Sequence, residues 1–234
     1  MSKNAIKAGI LVVILVIPAF IFIFLKLFGN NYYTLPYLMP ELDEEGQVMM
    51  KGADTVFHKI PAFELVDQHG QKFTSAQTKG KIYVADFFFS RCGTICPKLS
   101  GSLSRVQDLF AENPDILIVS HSIDPQHDTP EVLKDYAKKY DAQAGKWYFL
   151  TGEKKAIYDL AIKGYKLPVA DASDYDKNIK SVDDTFIHSE KLLLIDKEGY
   201  IRGIYDGTFN ADVERLLGEI KVLMEIYKDK NITR

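Results

Sequence analysis

The chain has 234 residues, with 29 Lys and Arg against 32 Asp and Glu, a formal charge of −3 and a pI near 6.0. That balance excludes a strongly basic surface of the kind that holds nucleic acid. Two cysteines are too few for a disulfide framework in a domain of this size, and both fall in one short stretch, which points to chemistry at that stretch.

The N-terminus carries no charged residue from Ala8 to Leu25, with Lys3 and Lys7 before the run and Glu41, Asp43, Glu44 and Glu45 after it. A run of about 18 apolar residues, extended by its flanks, is long enough for a membrane helix, and Pro18 is tolerated there. No Ala-x-Ala site or lipobox cysteine follows, so an uncleaved anchor is expected rather than a cleaved signal peptide. The lysines favour a cytoplasmic N-terminus. The expected layout is a cytoplasmic tail at 1–7, a single-pass anchor in a bacterial inner membrane at 8–28, a linker at 29–58 and a periplasmic domain at 59–234. In that compartment thiols oxidise unless they are kept reduced or metal-bound.

In the domain, Phe63–Val66 and Gln71–Phe73 flank Asp67-Gln68-His69-Gly70 as a hairpin. Ile82–Phe89 is apolar enough to be a central strand covered on both faces, with Asp86 as a polar exception that needs a partner. After Cys92-Gly93-Thr94-Ile95-Cys96-Pro97, the spacing of Leu99, Leu103, Val106 and Phe110 predicts a helix to about Glu112. Ile116–Ser120 is a second central strand, left through a polar loop, Ser122 to Pro130. Thr129 before Pro130-Glu131 predicts a capped helix carrying Leu133, Tyr136 and Ala137. A strand at Trp147–Leu150, a helix at Glu153–Ile162 and a long aperiodic loop at 163–187 follow. Strands at Lys191–Ile195 and Tyr200–Tyr205 close a hairpin, and Val213, Leu216, Leu217, Ile220 and Leu223 mark a final helix. Strands alternating with helices, then a hairpin, give an α/β mixed sheet flanked by helices. A Cys-bearing turn between a central strand and a helix is the thioredoxin-like arrangement.

Two thiols at this spacing suit either a redox pair or two ligands of a metal. On a helix they stand one turn apart on one face, with Cα atoms roughly 6 Å apart, inside disulfide range. A helix N-terminus favours the thiolate, which is both nucleophile and soft ligand. Two features tilt toward metal. The motif is one residue longer than Cys-x-x-Cys. The strand facing it is preceded by Thr185-Phe186-Ile187-His188-Ser189, so a histidine stands where a disulfide exchanger carries proline. Two thiolates and an imidazole suit copper, Cu(I) above all, whereas structural zinc wants a fourth ligand. His58, His69, His121 and His127 read as polar linker, turn or loop residues. Met39, Met49 and Met50 read as packing residues, and Asp124 and Asp128 as braces of their loop.

The ordered set of motifs resembles the Sco/SenC family of membrane-anchored, thioredoxin-like copper proteins. The resemblance rests on Cys92-x-x-x-Cys96-Pro97 after an aromatic strand, and on Ser122-Ile123-Asp124-Pro125 with Asp128-Thr129-Pro130. It continues through Trp147 with Leu150-Thr151-Gly152, and His188 ahead of Asp196-Lys197-Glu198-Gly199. It implies copper, as Cu(I) and also Cu(II), held by Cys92, Cys96 and His188. It further implies a metallochaperone that serves the copper-accepting subunit of cytochrome c oxidase and meets other copper carriers or thiol reductants. A thiol–disulfide oxidoreductase acting on an oxidase subunit, or a redox or copper sensor, are the alternatives. Gly93 and Ile187 depart from the family's usual Pro and acidic residue. Gly93 loosens the Cys turn, and Ile187 leaves Asp183 or Asp184 to tune the histidine.

Overall fold

The computed structural model describes residues 3–28, 34–172, 186–187 and 189–232. They form two compact units, 1–34 and 35–234. The first unit is a helix, α1 (Lys3–Phe28). Its side chains from Ile10 to Phe24 are all exposed. Among the described residues no helix is long and apolar enough to cross a membrane.

The second unit is built on a seven-stranded sheet. In chain order the strands after a small hairpin, β1 (Met50–Lys51) and β2 (Asp54–Thr55), are β3 (Glu64–Asp67), β4 (Lys72–Thr74), β5 (Ile82–Phe88), β6 (Ile116–Ser122) and β7 (Trp147–Thr151). They continue with β8 (Ala170–Asp171), β9 (Phe186–Ile187), β10 (Lys191–Ile195) and β11 (Ile201–Asp206). The sheet order is β11-β10-β5-β6-β7-β3-β4, and β8 and β9 pair separately. The three middle strands, β5, β6 and β7, run parallel, joined by helix crossovers, while the flanking strands are antiparallel. All seven residues of β5 and of β6 are buried, with the polar Asp86, Ser120, His121 and Ser122 among them.

The helices are α2 (Cys96–Leu109), α3 (Pro130–Lys139), α4 (Lys154–Asp159) and α5 (Asn210–Ile232). Thr129 caps α3 by accepting the Val132 N–H at 3.4 Å, with Pro130 in the first turn. The expected helix 153–162 is instead a short α4 that widens into a π-turn over Leu160–Gly164. There Gly164 sits where a Cβ would come within 3.1 Å of Pro61 and 2.8 Å of Leu160. At Gly207, a Cβ would meet Leu99 of α2 at 2.4 Å. Its carbonyl accepts the Ser102 hydroxyl at 2.7 Å, so the end of β11 seats the first turns of α2.

The stretch 35–58, expected as linker, is part of the second unit. The Arg202 guanidinium, 4% exposed, pairs with buried Asp196 at 2.8 Å. It also donates to the carbonyls of Pro36, at 2.9 Å, and Leu35, and stacks over Tyr37 at 4.0 Å. Leu38 N–H bonds the Ile201 carbonyl at 2.9 Å. His58, expected to be inert, bridges Glu41 Oε1 at 2.6 Å and the Gly164 carbonyl at 2.8 Å. Pro36, Pro40 and the acidic run break any sequence period, so the packing is made by partners distant in sequence. The expectation that the methionines pack fails for Met49 and Met50, which are 44% and 54% exposed on the hairpin.

Removing one partner of a buried ion pair leaves the other charge uncompensated, at a cost of roughly 3–5 kcal/mol. Arg202→Ala is therefore expected to lower unfolding stability by about that amount and to open 35–37 to proteolysis, read by chemical denaturation and limited digestion. An unchanged midpoint would show that the strap is not held by this guanidinium.

Candidate functional site

β5 and β6 pair in register to Phe88 opposite Ser122, and Ile123 N–H adds a last bond to the Phe88 carbonyl at 2.9 Å. Beyond that point the two chains part, and the turn 89–95 carries β5 into α2. Cys92 lies in this turn, before the helix, and Cys96 is the first helical residue. The two cysteines are therefore not stacked on successive turns of one helix, as expected if the segment around Ile95 were helical. Cys92 Sγ instead faces the helix start and accepts the Cys96 N–H at 3.4 Å, much as a capping oxygen does. Pro97 follows within the first turn, where its missing N–H has no intrahelical partner to lose.

Both thiols are free and buried, Cys92 6% and Cys96 0% exposed. Their chemistry diverges sharply. Burial pushes the Cys92 thiol up, but the N–H groups of Cys96 and Thr94, the Cys96 thiol and the Thr94 hydroxyl outweigh it and hold Cys92 below the ordinary thiol value. Cys96 is driven well above that value, by burial first and then by its neighbour Cys92 and the charge of Asp86; the Phe89 backbone opposes this. One thiol is thus held below the ordinary value and the other above it.

Asp86 lies in β5, 1% exposed. Burial raises its carboxyl to about 7 against the opposing hydrogen bond from Ser120, and its Oδ1 has no partner among the described residues. Ser120 is bonded in turn by Trp147 Nε1 at 2.9 Å. His121, expected in a loop, is instead within β6 and fully buried. It stacks on Phe87 with ring centroids 4.8 Å apart and donates from Nδ1 toward the Asp86 carbonyl at 3.2 Å. Burial lowers its imidazole to about 4, so it is neutral and belongs to the core.

The Asp124–Asp128 loop lies against the Cys turn. Arg91 Nη2 pairs with Asp124 Oδ2 at 2.5 Å. Asp128, 0% exposed, accepts from Ser90 N–H at 3.0 Å, from the Ser90 hydroxyl, from Ser122 Oγ at 2.5 Å and from His127 Nδ1 at 2.9 Å. Ligand atoms of Asp124, His127 and Asp128 all lie within 4.8 Å of one another. These donors already engage both Asp128 oxygens and the His127 Nδ1, so the cluster is a brace, as expected for the two aspartates. What sequence reasoning missed is the thing braced: Ser90 and Arg91, the two residues before Cys92. Their place beside the first cysteine was the available signal.

His188 lies outside the described residues, as do Asp183 and Asp184. Two residues before His188, Phe186 is buried and packs on Phe89 with ring centroids 4.9 Å apart. The β8–β9 pairing is tied to α4 by Lys154 and Asp171 at 2.7 Å. The expected loop 163–187 therefore includes strand pairing at both of its ends.

A family model described as SCO1/SenC matches residues 52–225. The chain belongs to the SCO1/SenC family. It is 30% identical over 170 residues to an SCO1 protein homolog of Bacillus subtilis, covering 72% of this chain and 84% of that one. Among solved structures it is similar to BsSco, a member of the Sco family of cytochrome c oxidase assembly proteins in which a disulfide switch was identified. That match has 29% identity and a TM-score of 0.58, covering 70% of this chain and 92% of the other. It is also similar to Arabidopsis thaliana ScoI with copper bound, with 26% identity and a TM-score of 0.56, covering 72% and 98%. The thioredoxin-like mixed sheet flanked by helices is thus the fold of this SCO1/SenC chain.

Thiolate is the species that alkylates. With Cys92 lowered and Cys96 raised, partial labelling of the reduced protein by iodoacetamide near neutral pH is expected to modify Cys92 first, with Cys96 following only at much higher pH. Peptide mass spectrometry reads the order, and Cys96 labelling first would contradict the asymmetry.

Proposed function

We propose that this SCO1/SenC member binds copper as cargo through Cys92 Sγ, Cys96 Sγ and a ring nitrogen of His188, and hands it on during assembly of cytochrome c oxidase. The observation that carries the reading is the pair of free thiols at the start of α2, one of them held below the ordinary thiol range. Two soft sulfurs suit copper, and Cu(I) accepts the low coordination number that one imidazole completes. The relative from Arabidopsis thaliana was solved with copper bound, and BsSco is named among oxidase assembly proteins, which supports the same cargo and destination here.

The chain's own residues set the terms. Copper takes thiolates, so the Cys96 proton must leave on binding, and affinity rises with pH until Cys96 ionises freely. The α2 N-terminus favours the resulting negative charge. A Cys92–Cys96 disulfide removes both sulfur ligands at once, which couples copper loading to redox state.

The domain is proposed to stand in the bacterial periplasm on an N-terminal anchor. The support is the sequence run from Ala8 to Leu25, about 18 residues with no charged side chain, roughly the length a membrane helix needs. The large Ile, Leu, Val and Phe side chains of α1 from Ile10 to Phe24 are exposed. Retention in membranes after carbonate extraction is the expected result; release into the wash would remove the anchor.

Anaerobic loading of the reduced protein with Cu(I), then desalting and metal analysis, tests the cargo. One equivalent is expected for the wild type, none for Cys92→Ser or Cys96→Ser, and rapid loss to a competing chelator for His188→Ala. Full retention by Cys92→Ser would overturn the site. Undiminished oxidase assembly with His188→Ala would favour a thiol–disulfide oxidoreductase instead.

A further inference from the structure

The Asp128 carboxylate is fully buried, and among the described residues the side chain able to carry a positive charge that meets it is His127, on the exposed edge. Two of its four donors come from a single residue, Ser90, which offers its backbone N–H at 3.0 Å and its hydroxyl to the two carboxylate oxygens. The other two, Ser122 Oγ at the end of β6 and His127 Nδ1, belong to the same strand-and-loop segment as Asp128 itself. That loop is stiffened by Asp128 N–H to the Asp124 carbonyl at 2.8 Å and by Asp124 N–H to Ser122 Oγ at 3.1 Å. A rigid loop thus reaches across with one buried carboxylate and takes hold of the residue two positions before Cys92.

At that end Phe89 is buried against Phe186, with ring centroids 4.9 Å apart, and Ser90 is the next residue. Sheet pairing stops at Phe88, and Cys92 N–H makes a 3.2 Å bond to the Phe89 carbonyl. The Arg91–Asp124 pair adds a second tie, but its guanidinium is 40% exposed, where ion pairs contribute little. Charge-assisted bonds to a buried carboxylate are the strong kind, and two of them end on Ser90.

We propose that Asp128 is a positioning residue: by holding Ser90 it fixes the turn that presents Cys92 to Cys96. It touches neither thiol. Its effect is to convert two flexible thiols into a preorganised pair with a high effective concentration for each other. The inference rests on Cys92 and Cys96 working as a pair, and its test uses metal-free protein, so it stands or falls separately from copper binding.

The readout is the thiol–disulfide equilibrium of the full chain against glutathione. Cys92 thiolate attacks oxidised glutathione and releases one glutathione thiolate. The Cys96 thiolate then attacks the mixed disulfide and releases the second. Two protein thiols become one disulfide, and one oxidised glutathione becomes two reduced ones. Asp128→Asn is expected to lower the equilibrium constant for disulfide formation by roughly tenfold, a potential about 30 mV more positive at 29.6 mV per tenfold. Ser90→Ala keeps the backbone N–H and loses only the hydroxyl bond, so a fall of roughly threefold is expected. Thr129→Ala removes the α3 cap in the same segment and destabilises the fold, but leaves Ser90 held, so its equilibrium should stay within about twofold of wild type. If Asp128→Asn does not fold, Ser90→Ala against Thr129→Ala carries the test. Equal equilibria in wild type and Ser90→Ala, or a fall in Thr129→Ala as large as in the other variants, would overturn the assignment.

Discussion

The site depends on one contact, the Cys96 N–H held at 3.4 Å from Cys92 Sγ at the first turn of α2. A helix start has N–H groups with no intrahelical acceptor, and here a thiol takes the place of a capping oxygen. That contact places the two sulfurs at the same helix end and gives them opposite characters. Cys92 receives donors and is held below the ordinary thiol value; Cys96 supplies one, lies deeper, and is pushed above it. A pair of equal thiols would offer two unready ligands or two competing nucleophiles.

Everything around the contact serves to hold it. The parallel pairing of β5 with β6 runs to Phe88, delivering the chain to the turn with no slack. Gly207 lets β11 seat α2 closely enough that Leu99 fills the space a side chain would need. Asp128 grips the turn from the other side. The arrangement has a cost: Asp86 is buried beneath it with one oxygen unpartnered among the described residues, and its charge raises Cys96. An isolated buried carboxylate is expensive, and its carboxyl is accordingly pushed up to about 7.

Local signals in the sequence carried much of this. The apolar runs at 82–89 and 116–120, the Thr129-Pro130 cap and the closing hairpin were all legible, because each is set by a short window of side chains. The thiol pair was legible from spacing alone. What escaped was set by partners far away. Pro36 and Leu35 are held by Arg202, and His58 by Gly164, so a stretch without period proved to be part of the domain. His121 looked like a loop residue because its neighbours are polar, yet the strand continues through it to Ser122. Cys92 looked helical because Cys96 begins a helix only four residues later. Asp128 was legible as a loop brace, while its hold on Ser90 across 38 positions was not.

The ligand set is the central claim, and X-ray absorption at the copper edge of the Cu(I)-loaded full chain addresses it without relying on variants. The proposed site predicts two sulfur scatterers and one nitrogen in the first coordination sphere. A sphere holding a single sulfur, or only oxygen and nitrogen, would contradict it.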